Sequence, residues 1–197
     1  MTDSDSDGTD RRRAVVLDYL PHGLSDDSRP QYEKSPAGYA MDVEDFTLYE
    51  VAFDEDTRLT IGTHVVVEPE SERDVVEDCQ PVEYEELSSG AQSELEYVVK
   101  DLVEEEEQRF VDFYNDAQPI TLRLHQLNLL PGIGKKLRNA ILEERKRKPF
   151  EGFAEMEERI SGLHDPADVL VERILEELRE EDLKYKTFVG RQENDSE

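Results

Sequence analysis

Two glycines and two lysines in the run Gly132-Ile-Gly134-Lys135-Lys136 are the residues of this chain best suited to holding an anion. The N-terminus of a helix has backbone N–H groups without intrahelical partners and a partial positive charge, so it attracts phosphate groups. A phosphate reaches those N–H groups only if no side chain stands in front of them, and glycine has none. The spacing therefore predicts a phosphate-binding turn between two short helices.

Each residue of this turn has an expected part. Gly132 can adopt the positive φ that ends a first helix, and Gly134 would expose the amides at the start of a second one. Ile133 would pack between the two helices, while Lys135 and Lys136 add positive charge at the same point. Such a helix-hairpin-helix turn contacts a nucleic-acid backbone and reads no bases, so we expect little sequence preference. The alternative is a tight turn in a helical hairpin that contacts protein.

The turn lies in a basic stretch of an acidic chain. Residues 119–148 contain eight Lys and Arg against two Glu, whereas the whole protein of 197 residues has a net charge of −27. A local reversal of charge of this kind indicates contact with a polyanion. The basic residues expected to support the turn lie along the second helix and at its end: Arg138, Arg145, Lys146, Arg147 and Lys148.

The overall acidity has two explanations. The protein could mimic or repel nucleic acid, or it could be adapted to a cytoplasm with a high salt concentration, where surface carboxylates keep proteins soluble. Acidic residues are spread along the chain and Lys is scarce, with 8 Lys beside 15 Arg, so the composition favours adaptation to salt. The Debye length is only ~3 Å in molar salt. Short amide-to-phosphate hydrogen bonds would survive there better than a diffuse patch of Lys.

The N-terminal half reads as β-structure. Four or five short strands within 13–70, separated by turns, predict a small OB-like β-barrel. The stretch 71–92 is acidic, contains proline and predicts a connector. Residues 1–12 are rich in Asp and Ser and are expected to be disordered.

The C-terminal half reads as helical. A capping box of Ser93 and Glu96 precedes an apolar stripe and predicts an amphipathic bridging helix over 93–115. Residues 119–182 predict a tandem helix-hairpin-helix domain, and 183–197 a tail. The fold class is therefore α+β.

The tandem arrangement follows from an internal repeat. The first hairpin would join a helix over 122–129 to a second helix over 135–146. The segment Ile160-Ser-Gly162-Leu repeats the pattern of the first turn before a further apolar helix. Asp165 is a suitable N-cap for that helix, and Pro166 would be its first residue. His164 and Asp165 stand where glycine and lysine would be needed, so we expect the second hairpin to be structural.

Other kinds of site are poorly supported. No P-loop spacing is present, and none of the four His is spaced with a Cys, a second His or an acid in a metal-binding pattern. The single Cys79 excludes an internal disulfide, and no signal peptide or apolar span is visible, so we expect a cytoplasmic protein without cofactor or metal. Tyr39 and Tyr49 on predicted strands are weak candidates for stacking on bases, and the basic residues 11–13 either contact phosphate or merely flank the first strand.

Four segments together resemble the archaeal DUF655 family. They are Ala-Val-Val-Leu-Asp-Tyr-Leu at 14–20, Phe-Thr-Leu-Tyr-Glu-Val at 46–51, Ile-Gly at 61–62 before Val-Val-Val at 65–67, and Leu-Leu-Pro-Gly-Ile-Gly-Lys-Lys at 129–136. The resemblance covers about 12–190 and implies an OB-like domain followed by a helix-hairpin-helix part. It also implies RNA or nucleotide binding, with links to ribosomal and RNA-polymerase genes. An acidic member such as this one looks haloarchaeal.

These observations predict a non-catalytic protein that binds a phosphate backbone, RNA in preference to DNA, in translation or RNA metabolism. Two other classes of function stay open. One is an adaptor that docks its hairpins on a protein of a ribosomal or transcription assembly. The other is a metal-dependent nuclease, because a chain with 50 acidic residues forms carboxylate clusters by chance.

Overall fold

The computed structural model describes residues 11–190, which divide into two units, 11–95 and 96–190. The boundary falls inside a helix. Disorder was expected over 1–12, but Arg12 already belongs to the first strand. Residues 1–10, and the end of the expected tail at 191–197, lie outside the described residues. Within the described range, no helix combines the length and the apolar composition needed to cross a membrane.

The first unit contains one five-stranded sheet in which every neighbouring pair of strands is antiparallel. The strand order is β4-β1-β2-β3-β5, and the sheet curls into a half-barrel in which Cα atoms of β4 and β5 come within 8 Å. Its strands are β1 (Arg12–Leu20), β2 (Ala37–Asp42), β3 (Leu48–Phe53), β4 (His64–Glu68) and β5 (Val76–Pro81).

Alternating apolar side chains form the core on one side of this sheet. Val51 and Phe53 of β3 and Val65 and Val67 of β4 are buried at every second position, as the period of a strand requires. This alternation is the pattern from which the strands were predicted. It confirms the β-rich N-terminal half.

A close backbone approach joins β1 to β2. The register shifts between Val16 and Asp18, which marks a bulge in β1. The carbonyl oxygen of Asp18 is thereby brought so close to Gly38 that a Cβ atom at Gly38 would lie 2.1 Å from it. Only glycine fits this position.

The turn between β2 and β3 is built around acids and one buried ring. Asp42 Oδ1 accepts hydrogen bonds from the amides of Glu44 (2.8 Å) and Asp45 (3.1 Å). Arg12 forms ion pairs with both aspartates. Of the basic residues 11–13, Arg12 therefore stabilises the fold. Phe46 lies in this turn with φ +60° and is fully buried.

Residues 71–92 are not a simple connector. They contain β5, which pairs with β3 at the edge of the sheet. Of its residues only Val76 is buried and Cys79 is half-buried. An edge strand with one buried face and many acids lacks the apolar signal that identifies a strand in a sequence. Gly62 lies in a turn that is followed by the single strand β4.

The bridging helix begins earlier than predicted and is broken. Ser88 Oγ accepts the amide of Ala91 (3.0 Å), so Ser88 is the cap, whereas Ser93 Oγ donates to a carbonyl inside the helix. The helix is interrupted at Glu106, where φ is −102° and ψ is 38°. It forms α1 (Ser89–Glu105), which contains the unit boundary, and α2 (Glu107–Asp116).

The second unit continues with three helices: α3 (Lys135–Arg147), α4 (Phe153–Arg159) and α5 (Pro166–Arg179). The helix predicted over 122–129 is only a 3-10 turn at Gln126–Leu129, because 118–125 folds back through a bridge between Pro119 and His125. Buried Tyr114 of α2 donates its hydroxyl to the carbonyl of Pro166 (2.7 Å) and so ties α2 to the start of α5.

Part of the expected tail is docked. The ring of Phe188 lies 4.9 Å from the ring of Phe113, and Thr187 is buried. The described residues 183–190 therefore belong to the second unit.

Candidate nucleic-acid interface

The first hairpin turn has the geometry that its glycines predict. Gly132 adopts φ +76°, and the amide of Ile133 donates to the carbonyl of Leu130 (3.2 Å). Ile133 is buried, as expected for the residue that packs under the turn. Helix α3 starts two residues later, at Lys135.

Gly134 is the N-cap of α3, and nothing inside the protein requires a glycine there. Its φ of −84° and ψ of −172° are open to any residue, and within residues 11–190 no atom beyond its chain neighbours lies within 4 Å of the position of a Cβ. No side chain of the described residues caps the helix, so the amides of its first turn have no side-chain partner there. Lys135 and Lys136 are both exposed beside them. A bare cap, open space and two lysines are the features that favour a phosphate-sized anion at a helix N-terminus.

A brace behind the turn holds this geometry. The amide oxygen of Asn128 accepts hydrogen bonds from Arg138 Nη1 (3.0 Å) and the backbone N–H of His125 (3.3 Å). The amide nitrogen of Asn128 donates to the carbonyl of Ile133 (3.4 Å). Neither Asn128 nor His125 was predicted to support the turn, although their spacing of three residues is that of a capping box.

His125 supports the turn as a neutral imidazole. Its Nδ1 accepts a hydrogen bond from the amide of Leu127 (3.1 Å), which requires an unprotonated Nδ1. Burial lowers the pKa of His125, and the positive charges of Arg145 and Arg138 lower it further. The imidazole therefore caps the 3-10 turn at neutral pH.

Two arginines expected to contact phosphate have structural partners instead. Arg138 is half-buried, and its guanidinium also donates to Asn139 Oδ1 (3.3 Å). Arg145 Nη1 donates to the carbonyls of Tyr114 (3.0 Å) and Ala117 (2.9 Å) at the C-terminal end of α2. Burial lowers the pKa of Arg145, as expected for a charge used inside the fold.

The remaining supporting residues lie at the far end of α3. A helix rises 1.5 Å per residue, so Lys146 is roughly 18 Å from Gly134. Lys146 is exposed; Arg147 pairs with Glu144 (3.0 Å), and Lys148 pairs with Glu151 (3.2 Å). The structure thus brings together residues 132–136 and leaves the expected residues 145–148 apart from them.

The turn at 160–163 repeats the backbone of the first turn up to its buried apolar residue. The amide of Leu163 donates to the carbonyl of Ile160 (3.3 Å), Gly162 adopts φ +91°, and Leu163 is buried. The difference lies at the helix cap. Asp165 Oδ1 accepts the amide of Asp168 (3.0 Å), so the protein's own carboxylate occupies the N-terminus of α5.

The other candidates do not add to this site. Tyr39 and Tyr49 are 7% and 5% exposed, and burial raises the pKa of Tyr49 to about 12. Neither ring has a face open to a base. Over residues 11–190, no three His, Cys, Asp or Glu side chains converge in a way that could hold a metal ion.

Comparisons with known proteins agree on one family. The family model described as "Protein of unknown function (DUF655)" matches residues 10–190. The uncharacterized protein MJ0038 of Methanocaldococcus jannaschii is 39% identical over 178 residues, which cover 89% of this chain and 78% of that protein. The crystal structure of Af1531 from Archaeoglobus fulgidus is similar with a TM-score of 0.82 at 39% identity, and the match covers 90% of this chain and 98% of that chain. The chain therefore belongs to the archaeal DUF655 family, as its sequence motifs predicted.

Proposed function

We propose that this protein binds the sugar–phosphate backbone of a nucleic acid without catalysis, through the turn at 132–136. The observation that carries the proposal is the bare N-terminus of α3. Gly134 leaves open a helix end that an ordinary capping residue would close, and two exposed lysines flank it. A helix end without an internal partner favours an external anion.

The same geometry supports weak sequence preference. Amide and lysine donors contact phosphate oxygens, which are the same at every nucleotide whatever its base. Between RNA and DNA we favour RNA, because the family resemblance implies a link to translation and RNA metabolism.

Finer descriptions of the two units are part of this proposal. Five curled antiparallel strands support an OB-like assignment of the first unit. Two hairpins with matching positive-φ glycines support a tandem helix-hairpin-helix assignment of the second. The spread of acids along the chain supports a haloarchaeal cytoplasm as the place of action.

A matched pair of variants tests the proposal. Gly134→Asp would let α3 cap itself, as Asp165 caps α5, so its carboxylate would replace the phosphate and repel it. We expect a loss of affinity of at least about tenfold with unchanged or slightly higher stability. Asp165→Asn retains the cap oxygen and serves as the control, with unchanged affinity.

The measurement is fluorescence anisotropy with labelled single-stranded RNA and DNA in high KCl, with circular dichroism as the folding check. Wild-type affinity in a folded Gly134→Asp protein would refute the proposed site.

One observation favours the rival function of a protein adaptor. Leu122, at the tip of the fold-back before the first hairpin, is fully exposed. Large exposed apolar side chains occur at protein contacts, although single ones are also common on ordinary surfaces. An adaptor would keep one protein partner after nuclease treatment and would lose it in Leu122→Ser, whereas Gly134→Asp would leave that partner bound.

A further inference from the structure

We infer that the second unit holds one nucleic-acid backbone and not two, so that its ligand is a single strand or just one strand of a duplex. The inference rests on the proposed function. It concerns what the second hairpin contributes once the first has bound.

Two similar turns could in principle hold two strands. Gly132 corresponds to Gly162, and buried Ile133 corresponds to buried Leu163. Each turn leads into a helix of more than ten residues, α3 and α5. The backbone repeats only up to the buried residue: the second turn has one residue more before its cap, and Asp165 adopts φ 42° where Gly134 is extended. The two helix caps therefore differ in backbone as well as in side chains.

At the second cap the place of a phosphate is taken. The carboxylate of Asp165 accepts the amide of Asp168, and Pro166 at the first helical position has no N–H to offer. The backbone N–H of Asp165 itself donates to Glu157 Oε1 (2.7 Å). In the first turn of α5 the amide of Asp168 is thus used and that of Pro166 is missing, whereas α3 has neither a capping side chain nor a proline in its first turn.

Charge around the second hairpin also opposes a phosphate. Residues 149–190 contain five Lys and Arg against twelve Asp and Glu, whereas 119–148 contain eight against two. The carboxylates of Asp165 and Glu157 lie at the α5 cap, where each accepts a backbone amide, and Asp168 is a third acid in the first turn of α5. A phosphate held there would be repelled by these like charges.

The N-terminal caps of α3 and α5 therefore have different roles. The first attracts a backbone, and the second stabilises the fold while rejecting a second backbone. A duplex offers the two helix caps no more binding surface than one of its strands does.

The test compares two hybrids of the same RNA strand. In one, the complementary DNA strand has ordinary phosphates; in the other, it has neutral methylphosphonate linkages. Since only one backbone is held, we expect the two affinities to agree within about threefold. A loss of more than about tenfold with the neutral strand would mean that two charged backbones are contacted, and it would overturn the inference.

Binding of single-stranded RNA and of two variants distinguishes a failure of this inference from a failure of the proposed function. If neither hybrid nor the single-stranded RNA binds, the proposed function fails. Asp165→Asn should bind both hybrids as the wild type does, and Gly134→Asp should lose both. An Asp165→Asn protein that becomes weaker only on the fully charged hybrid would again show that the second cap takes part, against the inference.

Discussion

Arg173 Nε donates to Glu177 Oε1 at 2.9 Å, and both residues lie buried on α5. The carboxylate of Glu177 also accepts the backbone amides of residues 187–189 at 2.7, 2.8 and 3.0 Å. Arg173 in turn donates to the carbonyls of Leu129 (3.3 Å) and Tyr185 (2.5 Å). The pair therefore ties the C-terminal segment to the residues just before the turn at 132–136.

Removing the charge of Glu177 should loosen this connection. Glu177→Gln keeps the shape but turns one acceptor oxygen into a donor that faces other donors. We expect the free energy of unfolding to fall by about 3 kcal/mol, since a buried ion pair and its amide hydrogen bonds are lost. Urea unfolding measures this loss, and faster hydrogen exchange at 187–189 would locate it.

Glu176→Gln is the matched control. Glu176 also pairs with Arg173 (3.0 Å), but its side chain is 47% exposed, so we expect a change below about 1 kcal/mol. Equal losses in the two variants would contradict the special role of Glu177.

Arg145 should prove structural and not ligand-binding. Arg145→Ala leaves the carbonyls of Tyr114 and Ala117 without their donor, so we expect a loss of about 1–3 kcal/mol of stability. Affinity for RNA should be unchanged at temperatures where the variant stays folded. Lys146→Ala, exposed on the same helix, should leave stability unchanged. If binding weakens in a fully folded Arg145→Ala protein, Arg145 contacts the nucleic acid after all.

The sequence predicted what is local and missed what depends on distant neighbours. The turn at 132–136, the cap at Asp165 and the strand β3 follow from glycine, capping and alternation, which act over a few residues. The structural role of Arg145 could not be predicted, because the carbonyls that accept its hydrogen bonds lie about thirty positions earlier in the chain. β5 was not predicted because its composition is not that of a strand. Its pairing with β3 makes it one.

Gly38 should be irreplaceable for a steric reason. Gly38→Ala puts a Cβ 2.1 Å from the carbonyl oxygen of Asp18, and only a shift of β1 against β2 relieves that contact. We expect the first unit to lose about 2 kcal/mol or more of unfolding free energy. Gly134→Ala, with open space at its Cβ, should change stability by less than about 1 kcal/mol. Thermal unfolding would compare them, and similar melting temperatures would contradict the crowding at Gly38.

His125 should make the second unit sensitive to acid. Its pKa is lowered in the folded state, so below the unfolded value of ~6.5 the unfolded chain binds the proton more readily. This contribution to stability is complete above about pH 6.5 and is lost as the pH falls towards the folded pKa, with a slope of at most about 1.4 kcal/mol per pH unit.

Asn at position 125 would accept the amide of Leu127 without titrating, so His125→Asn should flatten the dependence of stability on pH between 5 and 7. The matched control is His164→Asn, at an exposed position of the second hairpin. Urea midpoints across this pH range provide the measurement. An equally steep dependence in His125→Asn would rule out His125 as its source.

The salt dependence of binding should show where on α3 the backbone is held. Each lysine that neutralises a phosphate contributes about −0.7 to the slope of log K against log salt for a single strand. Lys135→Ala should therefore make the slope shallower by about 0.7 and weaken all sequences alike. Lys148→Ala should leave the slope unchanged, because Lys148 lies at the far end of α3 and already pairs with Glu151. A slope altered equally by both variants would mean that the backbone runs along the whole helix, and not across its N-terminus.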